Sequence, residues 1–216
     1  MIIAKTARKL THAVLTADIV NSTKLDRVMG KALLKELEKI LKPYKFEFYR
    51  GDSFQAYMKE PEKSLQVALL CRTAAISMTA GEGDVPISDL KISIGLGSVS
   101  GPVRTLGTAK GEAFLLSGRS MDYMQSTGRR LSVVASNDVA EIGFEVIADF
   151  MDAICKKMTA KQAEAIYGLL KGRTQQQLAQ DLEKSKSTVS QLVGSGGWPE
   201  IERLLRQYEY LIKHLP

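Results

Sequence analysis

Two neighbouring segments in which apolar and polar residues alternate restrict the fold more than any other feature of the sequence. The segments 44–49 and 53–58 each place every second, apolar side chain on one face, and Gly51 and Asp52 lie between them. Two alternating segments joined by a short Gly-containing turn predict a β-hairpin, with Asp52 at its tip. Helical patterns precede and follow the hairpin, which therefore lies in the middle of a strand–helix–hairpin–helix–strand order.

The segments around the hairpin complete this order. His12–Asp18 has the composition of a strand that ends in a carboxylate. Apolar residues at helical spacing, among them Leu25, Val28 and Leu41, predict an amphipathic helix that Asn21 or Ser22 can cap. We expect further helices over 61–79, 111–126 and 139–154, and strands over 91–96 and 131–135. The order predicts an α+β fold with a ferredoxin-like antiparallel sheet and helices on one of its faces.

The distribution of charge divides the chain. The formal net charge is +6, and most of this excess follows residue 155, where the pattern becomes purely helical. We therefore place an α+β domain at 1–135, a connecting helix at 136–157 and a basic helical module at 158–216. The connecting helix is expected to bury one apolar face, formed by Val139, Ile142, Val146, Ile147, Phe150 and Ile154.

The number of cysteines and histidines and the hydropathy of the sequence argue against a zinc-finger protein and against a membrane-spanning one. Two cysteines and two histidines are too few for a zinc-finger scaffold. Cys71 and Cys155 fall in apolar helical segments and are expected to be reduced core thiols, which suits a cytoplasmic protein. No apolar run is long enough for a transmembrane helix, so we expect no membrane partner.

The carboxylates at the predicted strand end and hairpin tip form the first candidate site. In a split βαβ sheet the first strand lies next to the hairpin, so Asp18 and Asp52 are expected at the same end of the sheet. Two carboxylates and a backbone carbonyl, for which we select Ile19, suit Mg²⁺ or Mn²⁺. The alternative is structural, with Asp18 as a helix N-cap and Asp52 as a turn residue.

The same residues resemble two motifs of the class III nucleotide cyclases. The sequence ADIVNST at 17–23 is similar to their strand-ending metal motif, and GDSF at 51–54 is similar to their hairpin motif. The resemblance extends over residues 12–135. It implies that both Asp side chains bind two divalent ions at the phosphates of a nucleotide, with further ligand contacts from Ser22, Thr23 and Arg119.

A closer resemblance is to the SatD-type family of bacterial proteins. Five signatures carry it in the same order: DIVNS at 18–22, GDSFQ at 51–55, IGLG at 94–97, GEAF at 111–114 and then Arg119. Three positions depart from the cyclase pattern: Phe48 replaces a base-recognising Lys, Leu115 replaces an Asn that accompanies the transition-state Arg, and the adenine-selecting acidic position falls near Thr108. The departures favour a degenerate domain that binds a ligand or dimerises over an active cyclase, and we assign no catalytic residue.

The C-terminal module resembles a helix-turn-helix. The apolar residues with the spacing of its inner face are Leu178, Ala179, Leu182, Val189 and Leu192. The outer face of the third helix carries short polar and cationic side chains, namely Lys186, Ser187, Ser190 and Gln191. Such groups reach phosphates and base edges, so we select them as DNA-binding residues. Glu183 occupies the turn position that Gly usually holds, which requires either a different turn or a strained one.

One leading hypothesis and two alternatives follow. The leading hypothesis is a cytoplasmic bacterial DNA-binding regulator whose degenerate cyclase-like domain senses a ligand, dimerises, or both. The first alternative is a metal-dependent nucleotide-processing enzyme with an accessory helical module, and the second treats that module as a bundle that binds a protein. Because a single helix-turn-helix has a small footprint, we expect a homodimer that forms through helix 137–157 or through the sheet.

Overall fold

The computed structural model describes residues 12–79, 83–136 and 138–214. The strands are β1 (His12–Val20), β2 (Lys45–Tyr49), β3 (Ser53–Met58), β4 (Asp89–Gly97), β5 (Val99–Ser100), β6 (Lys110–Gly111) and β7 (Leu131–Ala135). The helices are α1 (Arg27–Leu41), α2 (Ser64–Ile76), α3 (Glu112–Ser126), α4 (Asp138–Cys155), α5 (Ala160–Leu170), α6 (Gln175–Asp181), α7 (Lys186–Ser195) and α8 (Trp198–His214). Short 3-10 turns cover Ser22–Lys24 and Pro61–Lys63.

The fold is mixed α+β, as predicted, and its main sheet has five strands in the order β2-β3-β1-β4-β7. The first four strands are antiparallel to their neighbours, and only β7 runs parallel to β4. The hairpin β2-β3 therefore lies beside β1, as the split βαβ pattern predicted. A separate two-stranded sheet joins β5 to β6. Within the described residues no helix is both long and apolar enough to cross a membrane.

Helices cover both faces of the sheet, so the prediction that they lie on one face was wrong. One face packs its apolar residues, such as Leu15 and Ile94, against α1, α2 and α4. The other face receives α3, which approaches closely because Gly95 has no side chain. A Cβ atom at Gly95 would lie 2.2 Å from the Ala113 carbonyl oxygen. The loop between β5 and β6 extends this second layer, with Val103 and Leu106 buried beside Val14.

The start of α1 also differs from the prediction. Asp26, rather than Asn21 or Ser22, caps the helix, because its Oδ1 accepts hydrogen bonds from the backbone N–H groups of Val28 and Met29, both at 2.8 Å. Asn21 instead takes a left-handed conformation, with φ 59°, and leads into the 3-10 turn. Val28 is 77% exposed, so its expected burial was wrong, because it lies on the side of α1 opposite to the buried Leu37.

The expected buried face of α4 was wrong in part. Phe144, Ile147 and Met151 are buried against the sheet. Ile142, Val146 and Phe150 lie on the opposite side and are 68%, 49% and 61% exposed. The helix is therefore apolar on two sides, and only one of them is covered in this structure.

The C-terminal helices share a continuous core with the sheet. Ile166 of α5 and Tyr208 of α8 belong to the same buried cluster as the sheet residues. The Tyr208 hydroxyl lies 2.6 Å from Ser64 Oγ in α2, and Gln66 Nε2 donates to the Leu170 carbonyl at 3.0 Å. The three-part division at residues 135 and 157 stays a prediction, but α5 and α8 are packed as parts of one body.

A buried arginine joins α2 to the sheet and to α4. The side chain of Arg72 is fully buried and donates two hydrogen bonds to Asp89, at 2.9 and 3.1 Å. Its Nη1 lies 2.8 Å from Asp152 Oδ1, an ion pair without hydrogen-bond alignment. Arg130 pairs with Asp89 and Lys156 with Asp152, both at 2.7 Å. Three cations and two carboxylates thus form a network of ion pairs where α2, β4 and α4 meet.

Both cysteines are buried and unpaired, which agrees with their prediction as core thiols. Burial raises the pKa of each thiol, and that of Cys155 reaches about 11. The thiolate, which is the reactive form, is therefore scarce at neutral pH.

Candidate functional site

The two predicted metal-binding carboxylates come together at one end of the sheet. Strand β1 continues two residues beyond Asp18 to Val20, so Asp18 lies within the strand rather than at its end. Asp18 is opposite Ser53 in β3, and Ile19 N–H donates to the Asp52 carbonyl at 2.8 Å. The chain therefore brings Asp52 beside Asp18 through backbone pairing.

The hairpin turn consists of residues 50–52, because Tyr49 of β2 pairs with Ser53 of β3. Arg50 and Gly51 both have positive φ, at 52° and 84°, and Asp52 follows them directly before β3. A left-handed conformation is unfavourable for Arg and natural for Gly. Asp52 thus lies in the turn at the tip of the hairpin, as predicted, and next to β1.

Burial and a neighbouring negative charge raise the pKa of one of the two carboxyl groups. The pKa of Asp18 is raised above its usual value, first by partial burial and then by the negative charge of Asp52. Lys91 and a backbone hydrogen bond from Ile19 oppose this shift but do not cancel it. Ser22 Oγ donates a hydrogen bond to Asp52 Oδ2 at 3.3 Å.

A divalent cation would relieve the repulsion between these carboxylates. The part of the chain that the structure describes contains no group of three or more His, Cys, Asp or Glu side chains able to hold a metal. Asp18 and Asp52 would therefore be the carboxylate ligands, and Ile19 could offer only its backbone carbonyl. Water or phosphate oxygens would have to complete the shell, as they often do for Mg²⁺. The donor set fits a cation shared with a phosphate better than a closed protein cage.

The remaining predicted ligand residues lie around this pair at different distances. Ser22 contacts Asp52, whereas Thr23 is exposed in the 3-10 turn. Arg119 is exposed on the outer face of α3, one turn after Leu115, which is 51% exposed. No contact between Arg119 and either carboxylate is present among the described residues. Phe48 packs its ring against Phe54 on the face covered by α1 and α2, which is opposite to the face of Asp18.

Lys91 is a site residue that sequence reasoning missed. It is opposite Asp18 across the β1–β4 pair, and its Nζ donates to Gln125 Oε1 of α3 at 3.1 Å. The alternation of β4 puts Lys91 on the outward side, but only the register reveals that it faces Asp18. A row of polar contacts continues beneath α3, where Thr16 Oγ1 bonds Ser117 Oγ at 3.0 Å.

The second candidate site is the helix pair α6–α7. Its apolar residues form a separate small core, made of Ala165, Leu178, Ala179, Val189 and Val193. Gly168 lets α6 approach α5, because a Cβ there would lie 2.2 Å from Leu178 Cδ2. Thr174 caps α6 through a capping box with Gln177, and Ser185 caps α7 by accepting from Thr188 N–H at 3.1 Å. The capping residues and the packing of the small core thus both stabilise two short helices joined by a turn.

The turn and the outer face of α7 carry the exposed groups. All four predicted DNA-binding side chains are exposed: Lys186, Ser187, Ser190 and Gln191. Glu183 has φ 51°, so the turn keeps the geometry that Gly usually supplies and Glu adopts it under strain. The N–H of Lys184 donates to the Ala179 carbonyl at 2.9 Å, and that of Glu183 donates to the Gln180 carbonyl at 3.2 Å. This is a Schellman end to α6.

Comparisons with known proteins give a limited result. No protein-family model matches the sequence, and no curated protein matches it either. A structure described as a bacterial light-regulated adenylyl cyclase is similar to this chain at 13% identity and a TM-score of 0.41, over 57% of this chain and 74% of that one. Another structure of the same description gives 14% identity and a TM-score of 0.38, over 57% of this chain and 42% of that one.

Proposed function

We propose that this chain is a DNA-binding regulator that reads DNA through α7. The observation that carries the proposal is the division of α7 into a buried apolar side and a fully exposed polar side. Val189 and Val193 are buried in the small core, while the opposite side presents only hydroxyl, amide and ammonium groups. A helix of this kind after a tight turn is the usual form of a recognition helix.

The exposed groups divide into two roles. Lys186 is the first residue of α7, where the helix dipole adds positive potential, so it suits a phosphate oxygen. Gln191 lies in the second turn, and a Gln amide can make two hydrogen bonds to adenine. Ser187 and Ser190 would bond either phosphates or base edges. Phosphate contacts position the helix, and base contacts give it sequence preference.

The proposed role of the N-terminal domain is to sense a ligand and to influence α7. The strand order β2-β3-β1-β4 and the split βαβ arrangement support the ferredoxin-like, cyclase-like assignment that we propose for this domain. Helix α1 begins just beyond the carboxylate pair, and its Glu36 accepts a hydrogen bond from Tyr167 in α5. Lys171 also pairs with Glu36, at 3.6 Å. A ligand that shifts α1 would therefore act directly on α5, against which α6 and α7 pack.

A binding titration tests the DNA-binding role. The protein is titrated against a randomised DNA pool at two salt concentrations, followed by selection and sequencing. Lys186→Ala should weaken binding to all sequences alike and lower the salt dependence by about one phosphate contact. Gln191→Ala should relax the preference at one base position, at a cost of about 1–3 kcal/mol.

Lys213→Ala is the matched control for these variants. It removes the same charge from the far end of α8, whose first turn lies beside α7, and Lys213 is exposed and pairs with Glu209. Its DNA binding should equal that of the wild type. A wild-type protein that selects no sequence and shows no salt-dependent affinity would overturn the regulator proposal and favour a protein-binding bundle.

The carboxylate pair favours one alternative, a metal-dependent nucleotide-processing enzyme. The test incubates the protein with Mg²⁺ or Mn²⁺ and ATP or GTP, and measures both the melting temperature and the products. Under our proposal no cyclic nucleotide forms, because Phe48 and Leu115 supply neither base recognition nor polar contacts. A cyclic product that Asp18→Ala abolishes would make the enzyme the better proposal. A nucleotide-dependent rise in melting temperature without product would support the sensing role.

A further inference from the structure

A groove runs between α4 and α8 on the surface of the protein. Its volume is about 560 Å³, and Ile142, Val146, Tyr210 and Leu211 supply its apolar lining. Gly143 and Leu211 meet in the lining of the groove, where Leu211 Cδ1 lies 3.3 Å from the position that a Cβ at Gly143 would take. This apolar surface is open in the described part of the chain.

An exposed apolar ridge borders the groove. The ridge consists of Ile142, Val146 and Phe150, which follow one another at a spacing of four residues along α4. All three are about half exposed or more, at 68%, 49% and 61%. A contiguous apolar stripe of this kind is uncommon on a free surface and is typical of an interaction site.

Charge indicates what covers the groove and the ridge. Helix α4 contains acidic residues and no basic ones, and Glu141 and Glu145 lie together on one flank of Ile142. The α8 wall of the groove carries Arg203 and Arg206. An occupant that fits the groove is therefore an apolar helix flanked by carboxylates, and the α4 ridge of this chain has both properties.

We propose that two copies of this chain form a symmetric dimer in which the ridge of each α4 packs into the α4–α8 groove of the other. The ridge and the groove share α4, so a two-fold axis between the two α4 helices lets both contacts form at once. Arg203 and Arg206 of each copy then face the acidic flank of the opposite α4. The dimer is argued from this surface alone and does not depend on DNA binding.

Molar mass in solution tests the dimer. Light scattering coupled to gel filtration, with sedimentation equilibrium over a range of concentrations, should give twice the chain mass for the wild type. Val146→Glu should yield monomers, because the dimer would bury an unpaired carboxylate, and should raise the dimer Kd at least about 100-fold. Val28→Glu is the matched control, since Val28 is an exposed helical valine on α1, and this variant should stay dimeric.

A charge exchange tests the proposed pairing. Arg203→Glu and Glu141→Arg should each weaken the dimer, and the double variant should restore it, because the two positions face each other across the axis. Circular dichroism and thermal melting confirm that each variant is folded. A wild-type monomer at all concentrations, or a dimer that survives Val146→Glu, overturns the proposal.

The dimer and the DNA-binding role can fail separately. A monomer that still selects a DNA sequence refutes the dimer alone. A dimer that ignores DNA refutes the regulator alone and leaves the α4–α8 surface as its interface.

Discussion

Removal of the buried charge of Arg72 gives a strong test of the packing described above. Arg72→Met keeps much of the side-chain volume but removes the cation between Asp89 and Asp152, whose side chains are only 4% and 5% exposed. Each carboxylate keeps one further cation, Arg130 or Lys156, and each of these is 36% exposed. Loss of one partner from a buried ion pair typically costs about 3–5 kcal/mol. Because the remaining cations compensate in part, we expect a loss of about 3 kcal/mol in the free energy of unfolding.

Arg129→Met is the matched control. Arg129 also bridges two carboxylates of α4, Glu145 at 3.0 Å and Asp149 at 2.9 Å, but its side chain is 34% exposed and its partners are more so. Exposed pairs contribute about 0–1 kcal/mol, so the control should lose no more than that. The comparison isolates burial, because the residue type and the number of carboxylate partners are the same.

Urea unfolding followed by circular dichroism measures both variants. The midpoint should fall clearly for Arg72→Met and hardly for Arg129→Met, with an unchanged slope. A triple variant, Arg72→Met with Asp89→Asn and Asp152→Asn, should be more stable than Arg72→Met alone, since it leaves no buried charge unpaired. Equal losses for the two single variants, or a triple variant less stable than Arg72→Met, would refute the reasoning.

Three further predictions concern a turn, a carboxylate and the thiols. Glu183→Gly should raise the free energy of unfolding by about 1 kcal/mol, because Gly adopts the left-handed conformation without strain; thermal melting measures it, and an unchanged or lower stability would contradict the strained turn. Asp18→Asn should stabilise the protein at neutral pH, because the raised pKa of Asp18 means that its ionised form opposes folding. This advantage should vanish as the pH falls below the ordinary Asp pKa of 3.8, where the native and unfolded chains both carry a protonated Asp18; an advantage that grows in acid would refute it. Cys71 and Cys155 should resist a thiol reagent in the native protein and react once urea unfolds it, and rapid reaction without urea would contradict their burial.

The sequence predicted a strand or a helix correctly where its pattern of apolar residues is compatible with only one of the two. The hairpin was predicted because strict alternation of apolar and polar residues over 44–58 fits strands and not a helix. The helices of the C-terminal module were predicted from the spacing of their apolar residues and from the residues that end them. The meeting of Asp18 with Asp52 followed from the split βαβ order, since topology alone brings these strands together. All three predictions rest on local periodicity or on chain order.

The structure differs from the sequence prediction where the local pattern fits more than one arrangement and contacts with distant segments decide between them. Helix α4 is apolar around most of its circumference, so periodicity could not tell Phe144 from Ile142. The start of α1 at the Asp26 cap follows a 3-10 turn at Ser22–Lys24, which no spacing rule anticipates. The close approach of α3 depends on Gly95, and the position of Lys91 depends on strand register. Each of these needs knowledge of a partner element that is distant in sequence.

The arrangement of α5 and α8 has a consequence for protein engineering. Both helices are built into the core of the sheet, through Ile166 and Tyr208, so the segment between them leaves that core and returns to it. Cutting the chain near residue 158 to transplant the C-terminal module would uncover apolar surface on both pieces. The transferable unit is shorter, from Gly172 to Gly197, two glycines with positive φ that flank α6 and α7. A chimera with new specificity should exchange that segment and keep its two supporting helices.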